Sequence, residues 1–298
     1  MKALPFLCCL ARPSALLRAT VVELAILVGH LLLYPTGIQQ EQPRALPGTP
    51  AGPDPEHDAG GAIDTGSGTA AGTVPAARTA LLPTEGRAHP PVLLLHGFID
   101  NRSVFVLLRR SLLRHGWRHV EALNYSPLTC DLRKAAELLG RHVEQVCERT
   151  GHSRVDLVGH SLGGLIARYY AQRLGGDLRV RTLVTLGTPH GGTRVAPLMS
   201  AHPLVRQMRP HSDVIVELAR PAPNCRTHFV SFWSDLDQLM VPVETARIDH
   251  RDLITRSVRV SGVGHLALPV NGAVAAGIRE ALGAEEEAEG SVSTTSVA

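Results

Sequence analysis

The chain has 298 residues, 44% of them apolar and 4% aromatic, with a formal net charge of +3. That length accommodates one large α/β domain or two smaller ones, and the apolar content suffices for a sizeable core. Apart from Lys2 and Lys134 the cationic residues are arginines, scattered without a basic stripe or an aromatic stacking platform, which sets nucleic-acid binding aside.

Residues 16–34, "LLRATVVELAILVGHLLLY", are strongly apolar but carry Arg18, Glu23 and His30. A membrane span needs about 20 apolar residues, and a charge near its centre costs about 2.5–3.5 kcal/mol. Arg18 can snorkel from the end. Glu23 and His30 are seven residues apart, share a helix face, and need a partner or water there. An uncleaved anchor, a cleaved signal peptide and a core helix of a soluble domain compete for this segment. No A-x-A-like site follows Tyr34 closely and a linker lies behind it, which favours the anchor. Lys2, Arg12 and Arg18 precede the span. The positive-inside rule then leaves residues 1–15 in the cytoplasm and the bulk of the chain outside, anchored in the membrane. Secretion after cleavage is the alternative.

Residues 35–88 are rich in Pro, Gly, Ala and Thr without hydrophobic period, as expected of a disordered linker. "IDTGSG" at 63–68 imitates an aspartic-protease loop, but that chemistry needs a second carboxylate and no second copy occurs. From 89 to 283 the pattern alternates. Apolar runs at 91–96, 119–125, 154–160, 181–187, 228–234 and 257–262 read as strands. Helical patterns fall at 103–115, 131–149, 162–174, part of 195–220, and 272–282. Such alternation predicts an α/β fold, a mostly parallel sheet covered by helices on both faces. Residues 284–298, "AEEEAEGSVSTTSVA", read as an acidic solvated tail.

No C-x-x-C occurs, so neither a zinc site nor a thioredoxin-like motif is expected. Cys130 and Cys147 bracket one predicted helix and lie roughly 25 Å apart, too far to bridge. Cys225 could pair with either, or all three could remain free thiols.

"RVDLVGHSLGGLIARYY", residues 154–170, sets Ser161 between glycines where a strand runs straight into a helix. Gly159-His160-Ser161-Leu162-Gly163 alone would arise by chance in about one chain of this length in ten. Its placement at a strand-to-helix junction is what makes it a nucleophile elbow, with Ser161 pushed out at the carboxyl end of the sheet. A serine hydroxyl needs a neighbouring base. His265, in "VSGVGHLALP" past the last strand, is the candidate, and His250, in a polar stretch before that strand, is the next. "FWSDLDQLMVP" offers Asp235 and Asp237 as the acid that orients the imidazole. Asp237 is favoured because it lies deeper in the turn. "LLLHGFID" ends the first strand of this region, so the N–H groups of Phe98 and Leu162 are candidates for an oxyanion hole, with His96 fixing the loop.

"HGFIDNRSVF", "VDLVGHSLGGLIARYY", "VTLGTPHGGT", "SFWSDLDQLMVP" and "VSGVGHLALP", in this order over roughly residues 90–283, resemble the small bacterial lipases and esterases of the α/β-hydrolase superfamily. The resemblance implies an α/β-hydrolase fold without a large cap domain and serine-dependent ester hydrolysis without metal or cofactor. It also aligns Asp237 with the family's acid and places "GTPHGG" at the rim of the site. The expected substrate is a lipid or other acyl ester. An acyltransferase or thioesterase with the same triad, and an inactive binding module, are the rival readings. Residues 193–226 could form a small lid or pack on the sheet.

Overall fold

The computed structural model describes residues 7–37, 89–98, 100–125, 131–194 and 202–294, except the side chains of 7–16, 19 and 285–294. Linker residues 38–88, with "IDTGSG", lie outside this set, as do Cys130 and residues 195–201. The strands are β1 (Val92–Leu95), β2 (Val120–Leu123), β3 (Val155–His160), β4 (Val180–Leu186), β5 (His228–Ser234) and β6 (Ile254–Val260). They form one sheet in the order β2-β1-β3-β4-β5-β6 with every pair parallel. Helices α2 (Val106–Arg114), α3 (Leu132–Thr150), α4 (Leu162–Arg173), α5 (Pro203–Gln207), α6 (Asp213–Ala219) and α7 (Gly272–Thr294) follow the strands, and α1 (Leu7–Leu33) precedes them.

Side-chain alternation along the strands builds two apolar layers. Leu93, Leu95, Leu157 and Phe229 face a core closed by α3 and α4, whose Leu139, Val143, Val146, Leu165 and Ile166 are buried. Leu94, Val158, Val184 and Phe232 face a second core closed by α2 and α7 through Leu108, Leu112, Val274 and Ile278. Helix α3 starts where the Asp131 carboxylate accepts from the Arg133 N–H and stops at left-handed Gly151.

The edges differ from the sequence reading at two places. Strand β6 begins at Ile254, three residues earlier than expected, and its residues are mostly exposed. It is the sheet's edge, so burial leaves little apolar pattern to read, and Arg256 and Arg259 sit on it. Helix α7 continues to Thr294 instead of ending near 283, because the Ala/Glu-rich segment has high helix propensity. Cys147 and Cys225 are free thiols, so they are not paired with each other. Cys147 is a packed core residue on α3.

Asp156 and Arg181, at the starts of β3 and β4, form a buried bidentate pair. Arg181 Nε lies 3.0 Å from Asp156 Oδ1, and Nη2 also donates to the Leu282 carbonyl on α7 at 2.8 Å. The pair ties two central strands to a covering helix. Removing one partner leaves an uncompensated buried charge. Asp156→Ala is expected to cost about 3–5 kcal/mol in urea unfolding, whereas the apolar double variant Asp156→Leu/Arg181→Met recovers most of it.

Candidate active site

Strand β3 ends at His160, and α4 begins at Leu162, so Ser161 makes the whole turn by itself with φ 52° and ψ −118°. This is a strained conformation for a residue with a side chain. It is accommodated because the flanking glycines let the helix press onto the sheet. A Cβ on Gly159 would lie 2.5 Å from the Gly164 backbone, and one on Gly163 would collide with the Leu95 carbonyl of β1. The Ser161 N–H donates to the Leu186 carbonyl of β4 at 2.9 Å, fixing the turn against the neighbouring strand.

The loop after β5 carries both candidate acids, and their partners separate them. Asp235 pairs with Arg259 at 2.8 Å and accepts from the Gly262 N–H, on the exposed β6 side. Asp237 turns inward and is buried. Its Oδ2 lies 2.8 Å from His265 Nδ1, and its Oδ1 accepts from the N–H groups of Leu239 and Met240 at 3.0 and 3.1 Å. Three of the carboxylate's acceptor positions are therefore filled, which holds it in one orientation. His250 meets the Arg220 carbonyl and Gln172, away from this cluster.

His265 and Ser161 line one cleft together with Gly97, Phe98, Asp100, His160 and the apolar side chains of Val205, Met208, Leu239, Met240 and Leu266. A Cβ on Gly97 would lie 3.5 Å from that of Ser161, so the loop after β1 brings Phe98 alongside the elbow. His96 is buried and stacks on Tyr125 with ring centroids 4.2 Å apart. Its Nδ1 lies 2.8 Å from the Gly97 carbonyl, which braces the loop. Pro189 of "GTPHGG" lines the cleft, while His190 turns into the protein against Thr185 Oγ1 at 2.9 Å.

From residue 202 onward, the segment considered as a lid is a packed wall. Leu204, Val205, Met208, Val214, Ile215 and Leu218 are buried. Glu217 on α6 binds Arg133 of α3 at 2.8 Å and the Tyr169 hydroxyl of α4 at 2.7 Å.

Burial alone would lower the His265 imidazole, but Asp237, with Glu23 and Asp100 behind it, raises it above its ordinary 6.5. Burial likewise favours neutral Asp100, yet the facing imidazoles of His160 and His30, at 3.5 and 3.2 Å, hold that carboxyl well below the usual range. The sequence reading passed over Asp100 and His160. His160 donates from Nε2 to the His265 carbonyl at 3.1 Å. The only signal for either was a polar residue beside a motif.

The six-stranded parallel sheet and its covering helices form an α/β-hydrolase fold. Residues 90–210 match the family model described as the α/β hydrolase fold. Triacylglycerol lipases of Pseudarthrobacter phenanthrenivorans and Burkholderia plantarii are 35% and 34% identical to the chain over 114 residues, in each case 36% of this chain. Those matches take in 35% and 31% of the two lipases, so the chain spans about one third of the length of the curated relatives it matches. Among solved structures, Aspergillus fumigatus lipase B superposes with a TM-score of 0.53 at 15% identity, over 61% of this chain and 49% of that one. A mature Bacillus licheniformis lipase gives 0.51 at 15% identity, over 62% and 88%. At these identities the structural likeness is one of fold.

The different partners of the two aspartates give a direct test. Asp237→Asn is expected to lower kcat on a soluble ester by about 10⁴ with an unchanged melting temperature, because the carboxamide can turn its NH₂ to Nδ1 and hold the imidazole in the wrong tautomer. Asp235→Asn should leave kcat near the parent value.

Proposed function

We propose that the chain hydrolyses carboxylic esters through an acyl-enzyme, with Ser161 as nucleophile, His265 as general base and Asp237 as the acid that orients it. The 2.8 Å bond from His265 Nδ1 to buried Asp237, on a cleft shared with Ser161, carries this reading. An Nδ1–H held by the carboxylate leaves Nε2 with a free lone pair to take the Ser161 proton as Oγ attacks the ester carbonyl. The N–H groups of Phe98 and Leu162 flank the serine and receive the oxyanion, each contributing about 2.7–4 kcal/mol. Protonated His265 then gives its proton to the departing alcohol, and water repeats the sequence on the acyl-enzyme. The apolar side chains along the cleft suit an acyl chain, and the likeness to triacylglycerol lipases supports a lipid ester.

Reaction with a fluorophosphonate probe should give one adduct, on Ser161. Ser161→Ala should abolish both labelling and turnover of a p-nitrophenyl ester, and undiminished turnover would end this reading. Since His265 must be neutral to act as base, kcat/KM should fall as pH drops through a value above 6.5.

The enzyme works bound to a lipid surface through α1. Thr20–Gly37 is long and apolar enough to cross a bilayer, with a mean hydropathy of 1.4. Leu17, Val21, Leu24, Val28 and Leu31, spaced alternately by four and three, form an outward stripe in which each residue is more than half exposed. Glu23 and His30 on the other side meet the hydrolase domain, so a helix lying along the membrane keeps those partners where a crossing helix would lose them. Arg18 near one end, and a cleft lined by Arg102, Arg109, Arg110 and Arg114 beside Gly37 at the other, suit anionic headgroups. The full chain should therefore sediment with phosphatidylglycerol vesicles. A Leu24→Asp/Leu31→Asp variant should stay in the supernatant while retaining its activity on a soluble ester.

A further inference from the structure

Helix α1 touches each of the three loops that make up the site. Thr20 Oγ1 accepts from Gln238 Nε2 at 3.1 Å, next to Asp237. Glu23 accepts with Oε2 from the Leu266 N–H at 2.9 Å and with Oε1 from the Ala267 N–H at 3.0 Å, immediately after His265. His30 Nδ1 lies 3.2 Å from Asp100 Oδ1, and beyond the helix the Tyr34 carbonyl accepts from Asn101 Nδ2 at 2.7 Å. Positions 20, 23 and 30 are separated by three and seven residues and so lie on one side of the helix.

The contact at Glu23 is the most specific. Two successive backbone N–H groups converge on its two carboxylate oxygens at the point where the chain turns away from His265. Gly264 makes room for this, since a Cβ there would collide with the Glu23 carboxyl. The histidine is then held at three points. Asp237 fixes ring Nδ1, His160 Nε2 binds the residue's own carbonyl, and Glu23 fixes the two peptide groups that follow.

We propose that α1 is part of the catalytic apparatus, and that Glu23 is a positioning residue that holds the His265 loop so that the imidazole addresses Ser161. The proposal rests on the triad reading above and extends it to a segment that the sequence alone marks as an anchor or leader. It gives the glutamate in an otherwise apolar helix a role: charged hydrogen bonds to a pair of N–H groups are stronger than neutral ones and set direction as well as distance. It also couples membrane attachment to chemistry, because the helix that offers its apolar stripe to lipid is the one that braces the base.

The test uses the full chain, with Glu23→Gln, Glu23→Ala and Ser161→Ala compared on a soluble short-chain p-nitrophenyl ester. Rates of the Glu23 variants are expressed per active site titrated with the phosphonate, so misfolded protein does not count, and Ser161→Ala, which takes no label, is measured per mole of folded protein. Glu23→Ala is expected to lower kcat by about 10- to 100-fold, the scale of a small misplacement of a catalytic group, with KM changed by less than about twofold. Glu23→Gln keeps one acceptor oxygen and should recover part of kcat. The acidic groups facing His265 are Asp237, Glu23 and Asp100, and His160 packs against it with ring centroids 4.7 Å apart. Removing one negative charge from that set should move the acidic limb of kcat/KM to lower pH in both Glu23 variants. Parent values of kcat and of the acidic limb would overturn the proposal, and so would a lower kcat with an unmoved limb, which would reduce Glu23 to a structural contact. Turnover by Ser161→Ala would instead overturn the triad reading itself.

Discussion

Everything at the carboxyl end of this sheet is arranged around one forced turn. Ser161 is held at φ 52° between β3 and α4, a conformation that costs about 1–3 kcal/mol for a non-glycine residue. It persists because the surroundings overdetermine it. Helix α4 lies against β3 and β1 at backbone contact distance, and the Ser161 N–H is bound to β4. Relaxing the turn would mean lifting the helix off a buried layer of Leu157, Leu165 and Ile166. The strain is therefore stored in packing rather than in the serine alone, and the hydroxyl is presented without any flexible loop. The loops bearing Phe98, Asp237 and His265 leave the carboxyl ends of strands β1, β5 and β6, and reach a point that this turn defines.

Much of this was legible in the sequence, for identifiable reasons. Central strands buried on both faces appear as apolar runs, so β1, β3, β4 and β5 fell close to their expected ranges. Edge strand β6 obeys no such rule, and its start was misplaced by three residues. Depth in a turn favours Asp237 over Asp235, and the two carboxylates face opposite ways, Asp237 to His265 and Asp235 to Arg259. Asp100, His160 and the Asp156–Arg181 pair were not legible. Each is a polar side chain whose partner lies tens of residues away or more, and no local pattern encodes such a pairing.

The polarity of α1 was legible but its meaning was not. Glu23 and His30 read as defects in a membrane span, and their common face was noted without a partner to assign to it. The structure supplies the partners, from the loops around the cleft. The helix is thus amphipathic in an inverted sense: Thr20, Glu23 and His30 face protein and its apolar stripe faces outward. Hydropathy averaged over a window cannot distinguish this from an anchor with two blemishes, because the average discards the angle at which each residue projects.

The bond from Glu23 to Leu266 spans 243 residues of chain. Closing so large a loop costs conformational entropy before any contact rewards it, so such pairings form late. During synthesis α1 emerges well before the backbone groups it binds, which lie 243 residues further along the chain. The sheet must assemble and deliver residues 264–267 to its carboxyl edge before the helix has anything to hold. The helix therefore waits for partners made long after it, and until it finds them the cleft has its serine turn but not the two bonds that Glu23 makes beside His265.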